Sequence, residues 1–139
     1  NPVVVMKEDN IVSINSCVQI DLMGQAASES IGYTQISGVG GQVDFVRGAA
    51  MAKNGRSILA FPSTAAKGTV SKIVPLLDEG AAVTTSRNDV DYVITEYGIA
   101  KLSGKTLKQR AHALIEIAHP NFRDELKKVY EERFHCSYE

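Results

Sequence analysis

The sequence predicts an α/β domain in which C-terminal helices pack on a mostly parallel sheet. Short runs rich in β-branched residues recur through the first two thirds of the chain, and glycine-bearing turns separate them. The last third instead places apolar residues at intervals of three and four, the spacing of amphipathic helices. With 139 residues, 44% of them hydrophobic, the chain can form one core, and we expect a single domain over residues 1–139.

The first part of the chain predicts three strands. They span Val3 to Met6, Ile11 to Asn15 and Cys17 to Leu22, and the third alternates apolar and polar residues as a half-buried strand does. Because the second and third strands are close in sequence, we expect them to form a hairpin. A polar stretch from Gly24 to Ser37 follows.

The middle of the chain predicts one helix and four more strands. The helix spans Val43 to Ala52, because this segment contains alanines and no breaker before Asn54-Gly55. The apolar runs that predict strands are Ser57 to Phe61, Val70 to Leu77, Ala81 to Thr85 and Val90 to Thr95. The last two have the composition of strands in a sheet that is covered on both faces.

The last third predicts two helices. Thr106 and Gln109 form a T-x-x-Q capping box ahead of an apolar face, Pro120 ends that helix, and Asn121 can cap the next one. We expect this pair to pack over the sheet. His112 and His119 lie seven apart on the first helix, and no cysteine or carboxylate completes a metal-ligand spacing with them, so no metal site is predicted.

Composition excludes several functional classes. Fifteen basic and sixteen acidic residues give a net charge of -1 without long runs of one sign, which predicts no binding to nucleic acid or to an anionic membrane. No apolar stretch approaches the roughly 18 residues of a membrane span, and two cysteines are too few for a disulfide scaffold. We therefore expect a cytoplasmic protein. Because the chain does not begin with Met, we also expect it to be part of a longer one.

The strongest local motif is the glycine loop, which we define as residues 37–42, Ser-Gly-Val-Gly-Gly-Gln. Three glycines in four positions, directly before a predicted helix, expose backbone N–H groups that can approach an anion or an oxyanion. The spacing is neither the dinucleotide fingerprint nor a P-loop. A tight turn without function explains the glycines equally well.

Charged residues near the glycine loop offer weaker candidates. Asp44 and Arg47 are three apart on the predicted helix, so they can simply pair with each other at the surface. Lys67 and Lys72 lie in or beside a polar loop that follows a strand, where α/β folds place ligand contacts, and could meet phosphates. A solvated surface loop explains each lysine equally simply.

Three carboxylates, Glu29, Glu79 and Glu96, are candidates for a nucleophile or base. Each also has a structural explanation: Glu29 lies in a polar stretch, Glu79 precedes a turn glycine, and Glu96 can form hydrogen bonds that fix a strand end. Ser63 has no recognisable His and Asp partners, and G-x-S-x-G is absent, which disfavours a serine hydrolase.

Several motifs together resemble one known family. They are Ile14-Asn15-Ser16, QIDLMGQ at 19–25, SESIG at 28–32, ISGVGGQVDFVRGA at 36–49, the segment from Pro62 to Leu102, and AHPNFRDEL at 118–126. Over nearly its whole length the chain resembles the C-terminal domain of the acetyl-CoA hydrolase/transferase family, and in particular the 4-hydroxybutyrate and butyrate:acetate CoA-transferases.

The resemblance implies a fold and a reaction. Proteins of this family have two related α/β domains of the type shared with ribose-phosphate isomerases, and their active site lies between the domains. A glutamate attacks the acyl-CoA, and a glutamyl-CoA thioester forms through an anhydride. That glutamate lies upstream of this chain, so the resemblance implies a C-terminal domain that is inactive alone. The family also uses coenzyme A as a substrate, small carboxylates as partners and no tightly bound cofactor.

The resemblance also implies roles for particular residues. Gly41 matches a glycine whose backbone N–H contributes to an oxyanion hole, with Gly40 as the neighbouring alternative, and Asn1 matches an asparagine that lines the active site. We expect Gly38 and Lys67 to contact substrate or coenzyme A, and the N-terminal domain and further copies of the enzyme to be partners. Acyl-CoA hydrolysis and a noncatalytic binding module remain alternatives.

Overall fold

The computed structural model describes residues 1–139. The helices are α1 Pro2–Val5, α2 Gln42–Met51, α3 Leu107–Glu116 and α4 Pro120–Phe134, with a 3-10 turn over Ala66–Gly68. The strands are β1 Val12–Asn15, β2 Gln19–Asp21, β3 Ala26–Ala27, β4 Ser30–Ile31, β5 Thr34–Gln35, β6 Arg56–Ala60, β7 Thr64–Ala65, β8 Val70–Ser71, β9 Ile73–Val74, β10 Tyr92–Thr95 and β11 Gly98–Lys101.

The main sheet has four strands in the order β1-β6-β10-β11. The first three are parallel, and β11 returns antiparallel to β10 as a hairpin. In the register, Ile58 of β6 lies opposite both Ile14 of β1 and Tyr92 of β10. The mixed α/β class with a mostly parallel sheet is therefore confirmed.

Smaller sheets flank the main one. Strands β3, β2 and β9 form a three-stranded sheet, and β4–β5 and β7–β8 are short hairpins. A single bridge between Ala26 and Thr85 ties the segment before β10 to this second sheet.

The core lies between the sheets and the C-terminal helices. Leu59, Val93 and Ala100 of the main sheet are buried in one cluster with Leu114 of α3 and Leu126 of α4. The prediction that the two C-terminal helices pack over the sheet is therefore confirmed. None of the four helices combines the length and the apolar composition that a membrane-spanning helix needs.

Only one face of the main sheet is covered. Helix α2 packs against β1 and β6, and α3 packs against β11. Ser13, Ser57 and Leu59 point to this covered face and are buried. On the opposite face Ile14 and Ile99 remain exposed, so the expectation of a sheet covered on both faces is wrong within this chain.

The helix predictions were accurate because their signals are local. Thr106 and Gln109 form the expected capping box at the start of α3, and α2 coincides with the predicted helix to within one residue at each end. The N-cap of α4 differs from the prediction. His119 is the N-cap residue in place of Asn121, and its side chain accepts the backbone N–H of Asn121. Pro120 occupies the first helical position.

Three predictions about strands are wrong. The segment Val3 to Met6 begins in helix α1, because Asn1 caps it and Pro2 provides the first helical residue, and this local signal outweighs the β-branched valines. The predicted hairpin of the next two strands does not form, since β1 pairs with β6 while β2 pairs with β3 and β9. Residues 81–85 form no strand and contribute only the bridge at Thr85.

Candidate functional site

The candidate site lies at the edge of the main sheet where the parallel strands end. Ser16 follows β1, Ser63 follows β6 and Glu96 follows β10. In open α/β sheets ligands bind beyond the carboxyl ends of strands. The connections from these three strand ends therefore define where bound substrate would be expected.

Gln42 attaches the glycine loop to this edge. Its amide nitrogen donates to Ser28 Oγ at 3.0 Å and to Thr85 Oγ1 at 3.1 Å. Ser28 Oγ in turn donates to the carbonyl of Ser16, just after β1, at 3.3 Å. The start of α2 is thereby fixed beside the end of β1, which the sequence alone could not reveal because these residues are far apart along the chain.

Glu29 holds the other end of the loop. Its backbone carbonyl accepts the N–H groups of Ile36 at 2.8 Å and Ser37 at 3.2 Å. Its buried carboxylate accepts from Gln35 Nε2 at 2.8 Å and from Thr84 Oγ1 at 3.0 Å. Both the backbone carbonyl and the carboxylate of Glu29 therefore hold neighbouring segments in place. This favours a structural role for Glu29 over a role as nucleophile.

The glycines themselves present open backbone. Gly41 is the N-cap residue of α2, and no side chain caps the helix there. Gly40 has φ +60, a backbone conformation that favours glycine, but a Cβ added to Gly38 would meet nothing within 4 Å and one added to Gly41 would only touch the Phe45 ring at 3.5 Å. Backbone conformation thus explains one glycine of the three, Gly40, and leaves Gly38 and Gly41 without a steric reason.

The surroundings of the loop are apolar and exposed. Ile36, Val39 and Phe45 all rank among the large hydrophobic side chains left in solvent. N–H groups at a helix N-terminus carry partial positive charge, and this charge acts more strongly where another surface excludes water. The N–H groups at the start of α2 are therefore open to an anion or an oxyanion.

Asn1 lies near the same helix end. Its backbone nitrogen is 3.6 Å from Asp44 Oδ2, in the first turn of α2, and its side-chain oxygen accepts the N–H of Val3 at 2.9 Å. The expected pair of Asp44 with Arg47 does not form. Arg47 instead makes a two-point ion pair with Asp89, at 2.9 Å and 3.0 Å, which lowers the pKa of Asp89.

Lys67 is exposed in the turn between β7 and β8, with φ +56. No hydrogen bond joins it to the glycine loop. Lys72 is engaged differently, with its ammonium group 5.1 Å from the centre of the Phe61 ring. The structure thus brings Asn1 close to the start of α2 and leaves Lys67 on a separate hairpin.

Glu96 is tied to the neighbouring strand end. Ser63 donates to it twice, from its N–H to Oε2 at 2.8 Å and from its hydroxyl to Oε1 at 2.7 Å. Burial pushes the pKa of Glu96 upward, but these two hydrogen bonds, a hydrogen bond from the Glu96 backbone and the nearby His119 together outweigh that effect and lower the pKa. The structural explanation for Glu96, that it fixes a strand end, accounts for both carboxylate oxygens, and no sequence motif predicted Ser63 as its partner.

The remaining candidates, Glu79, His112 and His119, make contacts that give each a structural explanation. The Glu79 carboxylate accepts the Tyr33 hydroxyl at 2.8 Å, and His112 stacks on Tyr138 with ring centres 4.6 Å apart. His119 caps α4. No group of three or more His, Cys, Asp or Glu side chains is arranged to hold a metal ion.

Comparison with known proteins identifies the family. Residues 1–130 match the family model described as the acetyl-CoA hydrolase/transferase C-terminal domain. The chain belongs to this family. Over 134 residues it is 69% identical to the 4-hydroxybutyrate coenzyme A transferase of Clostridium kluyveri, which covers 96% of this chain but only 31% of that protein. The resemblance seen in the motifs is thereby confirmed.

Solved structures of this family share the fold. RipA from Yersinia pestis aligns with a TM-score of 0.88 and 50% identity, over 97% of this chain and 30% of its own. The 4-hydroxybutyrate CoA-transferase from Porphyromonas gingivalis aligns with a TM-score of 0.79 and 54% identity, over 96% of this chain and 30% of its own. The chain thus spans just under a third of the length of these relatives.

Proposed function

We propose that this chain is the C-terminal part of an acyl-CoA:carboxylate CoA-transferase. The observation that carries the proposal is the 69% identity to a 4-hydroxybutyrate coenzyme A transferase, across a match that spans 96% of this chain. The butyryl-CoA:acetate CoA-transferase of Anaerostipes caccae, 49% identical over 123 residues, supports the same reaction class. The donors are then 4-hydroxybutyryl-CoA or butyryl-CoA, and acetate is the acceptor.

In this proposal the glycine loop stabilises the oxyanion. The N–H of Gly41, or of Gly40 beside it, donates to the oxygen that becomes negative when a nucleophile adds to the thioester carbonyl. The uncapped N-terminus of α2 and its fixed position support this role, because a donor that is already oriented needs no reorganisation during the reaction. Loss of one such donor typically lowers kcat by about 10²–10³-fold.

The nucleophile in the proposal lies outside this chain. A glutamate carboxylate attacks the acyl-CoA carbonyl and releases CoA thiolate, leaving an acyl-glutamyl anhydride. The thiolate then attacks the glutamyl carbonyl, releases the acyl group as a carboxylate, and forms a glutamyl-CoA thioester. A second carboxylate reverses the two steps, so the thioester energy is retained in the enzyme. Coenzyme A is a substrate here, and no tightly bound cofactor is required.

Asn1, Gly38 and Lys67 have binding roles in the proposal. Asn1 lies near the first turn of α2, which supports a place beside the reacting carbonyl. Gly38 leaves open space where a side chain would otherwise stand, which supports close approach of substrate. Lys67 is exposed, and its charge suits a phosphate of coenzyme A.

The partners in the proposal are the N-terminal domain of the same enzyme, which carries the glutamate, and further copies of that enzyme. The relatives are about three times as long as the matched segment, which leaves ample chain for such a domain. Cys17 and Cys136 are both free thiols, which supports a cytoplasmic location.

Hydrolysis is a second candidate reaction. The acetyl-CoA hydrolase of Candida albicans is 31% identical over 133 residues, and water can replace the carboxylate acceptor at the same intermediate. The two reactions differ in their products: a transferase converts added acetate to acetyl-CoA, whereas a hydrolase releases free CoA regardless of acetate.

A chimera tests the proposal. The segment of the Clostridium kluyveri transferase that matches this chain is replaced by the corresponding segment of this chain, and CoA exchange between butyryl-CoA and acetate is measured beside the isolated chain. We expect exchange by the chimera and none by the isolated chain. A folded chimera that releases free CoA at the same rate with and without acetate would favour the hydrolase, and exchange by the isolated chain would contradict the missing nucleophile.

A further inference from the structure

A hollow lies beside the first turns of α3, where α4 packs against them. We call it the α3 hollow. Its volume is about 300 Å³, and the residues that line it are Lys105, Lys108, Gln109, His112, Ala113 and Tyr130. Four of them follow one another at intervals of three, one and three, so they form a single polar stripe along the start of the helix. The volume lies at the lower end of the range for small-molecule sites.

The α3 hollow is at the opposite edge of the main sheet from the candidate site. Strand β11 ends at Lys101, which pairs with Tyr92 at the start of β10. The chain therefore enters α3 near the amino ends of the parallel strands. The glycine loop is attached beyond the carboxyl end of β1. A ligand in the α3 hollow would thus leave the proposed oxyanion site open.

The polar groups of the α3 hollow are hydrogen-bond donors without acceptors. Neither Lys105 nor Lys108 forms an ion pair, and no carboxylate lines the hollow. The side-chain oxygen of Gln109 accepts the N–H of Thr106 at 3.0 Å, which leaves the amide N–H₂ group to donate elsewhere. The surroundings therefore suit a group that carries negative charge and several acceptor oxygens.

Tyr130 adds a buried hydroxyl to these donors. The residue is only 2% exposed, yet it lines the α3 hollow, and its ring is held by Phe134 and Tyr138 with centres 5.0 Å away in each case. Its hydroxyl makes no hydrogen bond to a nitrogen or oxygen of the protein, and the thiol of Cys136 beside it is a weak partner. Because buried hydroxyls normally have a strong partner, this one points to a ligand.

The charges at the start of α3 oppose the helix dipole. The N-terminal end of a helix is positive and favours acidic residues, but the first turn of α3 contains none. Lys105 precedes this turn and Lys108 lies within it. Violations of such local rules are expected at functional sites. A bound anion would remove the conflict, since both lysines and the helix end attract it.

We propose that the α3 hollow binds the phosphate group of a small phosphate monoester. A phosphate monoester concentrates nearly two negative charges and three acceptor oxygens on one compact group. The two ammonium groups match its charge, and the Tyr130 hydroxyl and the Gln109 amide can donate to its oxygens. This inference goes beyond the proposed function, because it requires neither the nucleophile nor the rest of the enzyme.

An NMR titration tests the proposal on residues 1–139. The ¹⁵N-labelled chain is titrated with inorganic phosphate and with glycerol 3-phosphate at about pH 8, where both are dianions, and chloride keeps the ionic strength constant. We expect saturable shifts of the N–H signals of Lys108, Gln109 and His112, with a Kd of about 1 mM or lower. Glycerol 3-phosphate should bind at least as tightly as inorganic phosphate.

Three variants locate the bound phosphate. Lys108→Ala should raise the Kd at least about tenfold, the loss of one charge-assisted hydrogen bond. Lys128→Ala is the matched control, because it removes the same charge from an exposed position on α4, and it should change the Kd by less than about twofold. Tyr130→Phe keeps the ring and removes the hydroxyl. It should raise the Kd by about threefold to tenfold while the rest of the spectrum stays that of the folded chain.

Several results would overturn the proposal. Shifts that do not saturate, or equal weakening by Lys108→Ala and Lys128→Ala, would reduce the effect to net charge. Saturable shifts at Gly40 and Gly41 in place of the α3 hollow would put the anion at the glycine loop. An unchanged Kd in Tyr130→Phe, or weaker binding of glycerol 3-phosphate than of inorganic phosphate, would also contradict it. CoA exchange is not measured here, so the outcome is separate from that of the proposed function.

Discussion

Gly40 and Gly41 are adjacent in the sequence but glycine stands at the two positions for different reasons. Gly40 has φ +60, a conformation that costs an L-residue about 1–2 kcal/mol, whereas Gly41 has φ -94 and room for a side chain. The backbone conformation favours glycine at the first position. No backbone or steric constraint explains the second, which is the basis for the proposal that its N–H stabilises an oxyanion.

This difference predicts unequal effects of substitution at the two positions on the free energy of unfolding. Gly40→Ala should lower the free energy of unfolding of the isolated chain by about 1 kcal/mol. Gly41→Ser should leave it within about 0.5 kcal/mol, because serine is at least as good an N-cap as glycine. Urea denaturation of both variants measures the two values. A larger loss for Gly41→Ser than for Gly40→Ala would show that Gly41 is structural.

A second prediction at the residue scale concerns the anchoring role of Glu29. Glu29→Gln replaces one carboxylate oxygen with an N–H₂ group, so Gln35 or Thr84 would face a donor where it now finds an acceptor. We expect a loss of about 1–3 kcal/mol in the free energy of unfolding. Glu79→Gln is the control, because Glu79 is exposed, and it should change stability by less than about 0.5 kcal/mol. Equal losses would contradict an anchoring role.

At the scale of secondary-structure elements, the sequence predicts helices from local signals but does not predict which distant strands pair. The capping box of α3 involves residues three apart, and α2 follows from its own composition, so both were predicted from the sequence. Strand β1 pairs with β6 more than forty residues away, and nothing in either segment specifies that choice over a hairpin with β2. Strand pairing depends on the apolar faces of all the strands and helices that form the core, and the sequence of one segment does not contain that information.

The ion pair of Arg47 with Asp89 ties α2 to the turn before β10 and makes stability depend on pH. Arg47 lowers the pKa of Asp89, so the folded state holds the charged form more strongly than the unfolded state does. The contribution is fully present above the unfolded pKa of about 3.9 and is lost as the pH falls through the lower folded value.

Asp89→Asn should therefore reduce stability at neutral pH and flatten the loss of stability below about pH 4. The control is Asp124→Asn on α4, which removes a carboxylate that makes no hydrogen bond or ion pair in the structure. Thermal unfolding between neutral and acidic pH measures both. An unchanged pH slope in Asp89→Asn would show that the pair contributes nothing.

At the scale of the whole molecule, the family and the C-terminal helices over the sheet could be predicted from the sequence, while the exposed face of the main sheet could not. Ile14 and Ile99 have the sequence context of ordinary strand interior, and only the structure shows that both side chains are exposed. The attachment of the glycine loop was also hidden, because Gln42 reaches Thr85 across 43 positions.

Cys17 reports on the integrity of the whole core. It is buried in the main cluster, and burial raises the pKa of its thiol to about 12, so the reactive thiolate is scarce at neutral pH. In the native chain, iodoacetamide should modify the partly exposed Cys136 and leave Cys17 unmodified until the protein unfolds. Mass spectrometry of the two cysteine peptides checks this, and rapid modification of native Cys17 would mean that the core opens locally.

In the proposed function this chain supplies the oxyanion half of a site whose nucleophile lies elsewhere, and the kinetics of Gly41→Ser in the chimera test this role most directly. The serine side chain would stand in the open space beside the Gly41 N–H and obstruct the approach of the reacting oxygen to that donor. We predict that kcat for CoA exchange between butyryl-CoA and acetate falls by about 10²-fold, while KM and the unfolding free energy change little. A variant with unchanged kcat, or one that loses only substrate affinity, would contradict the oxyanion assignment.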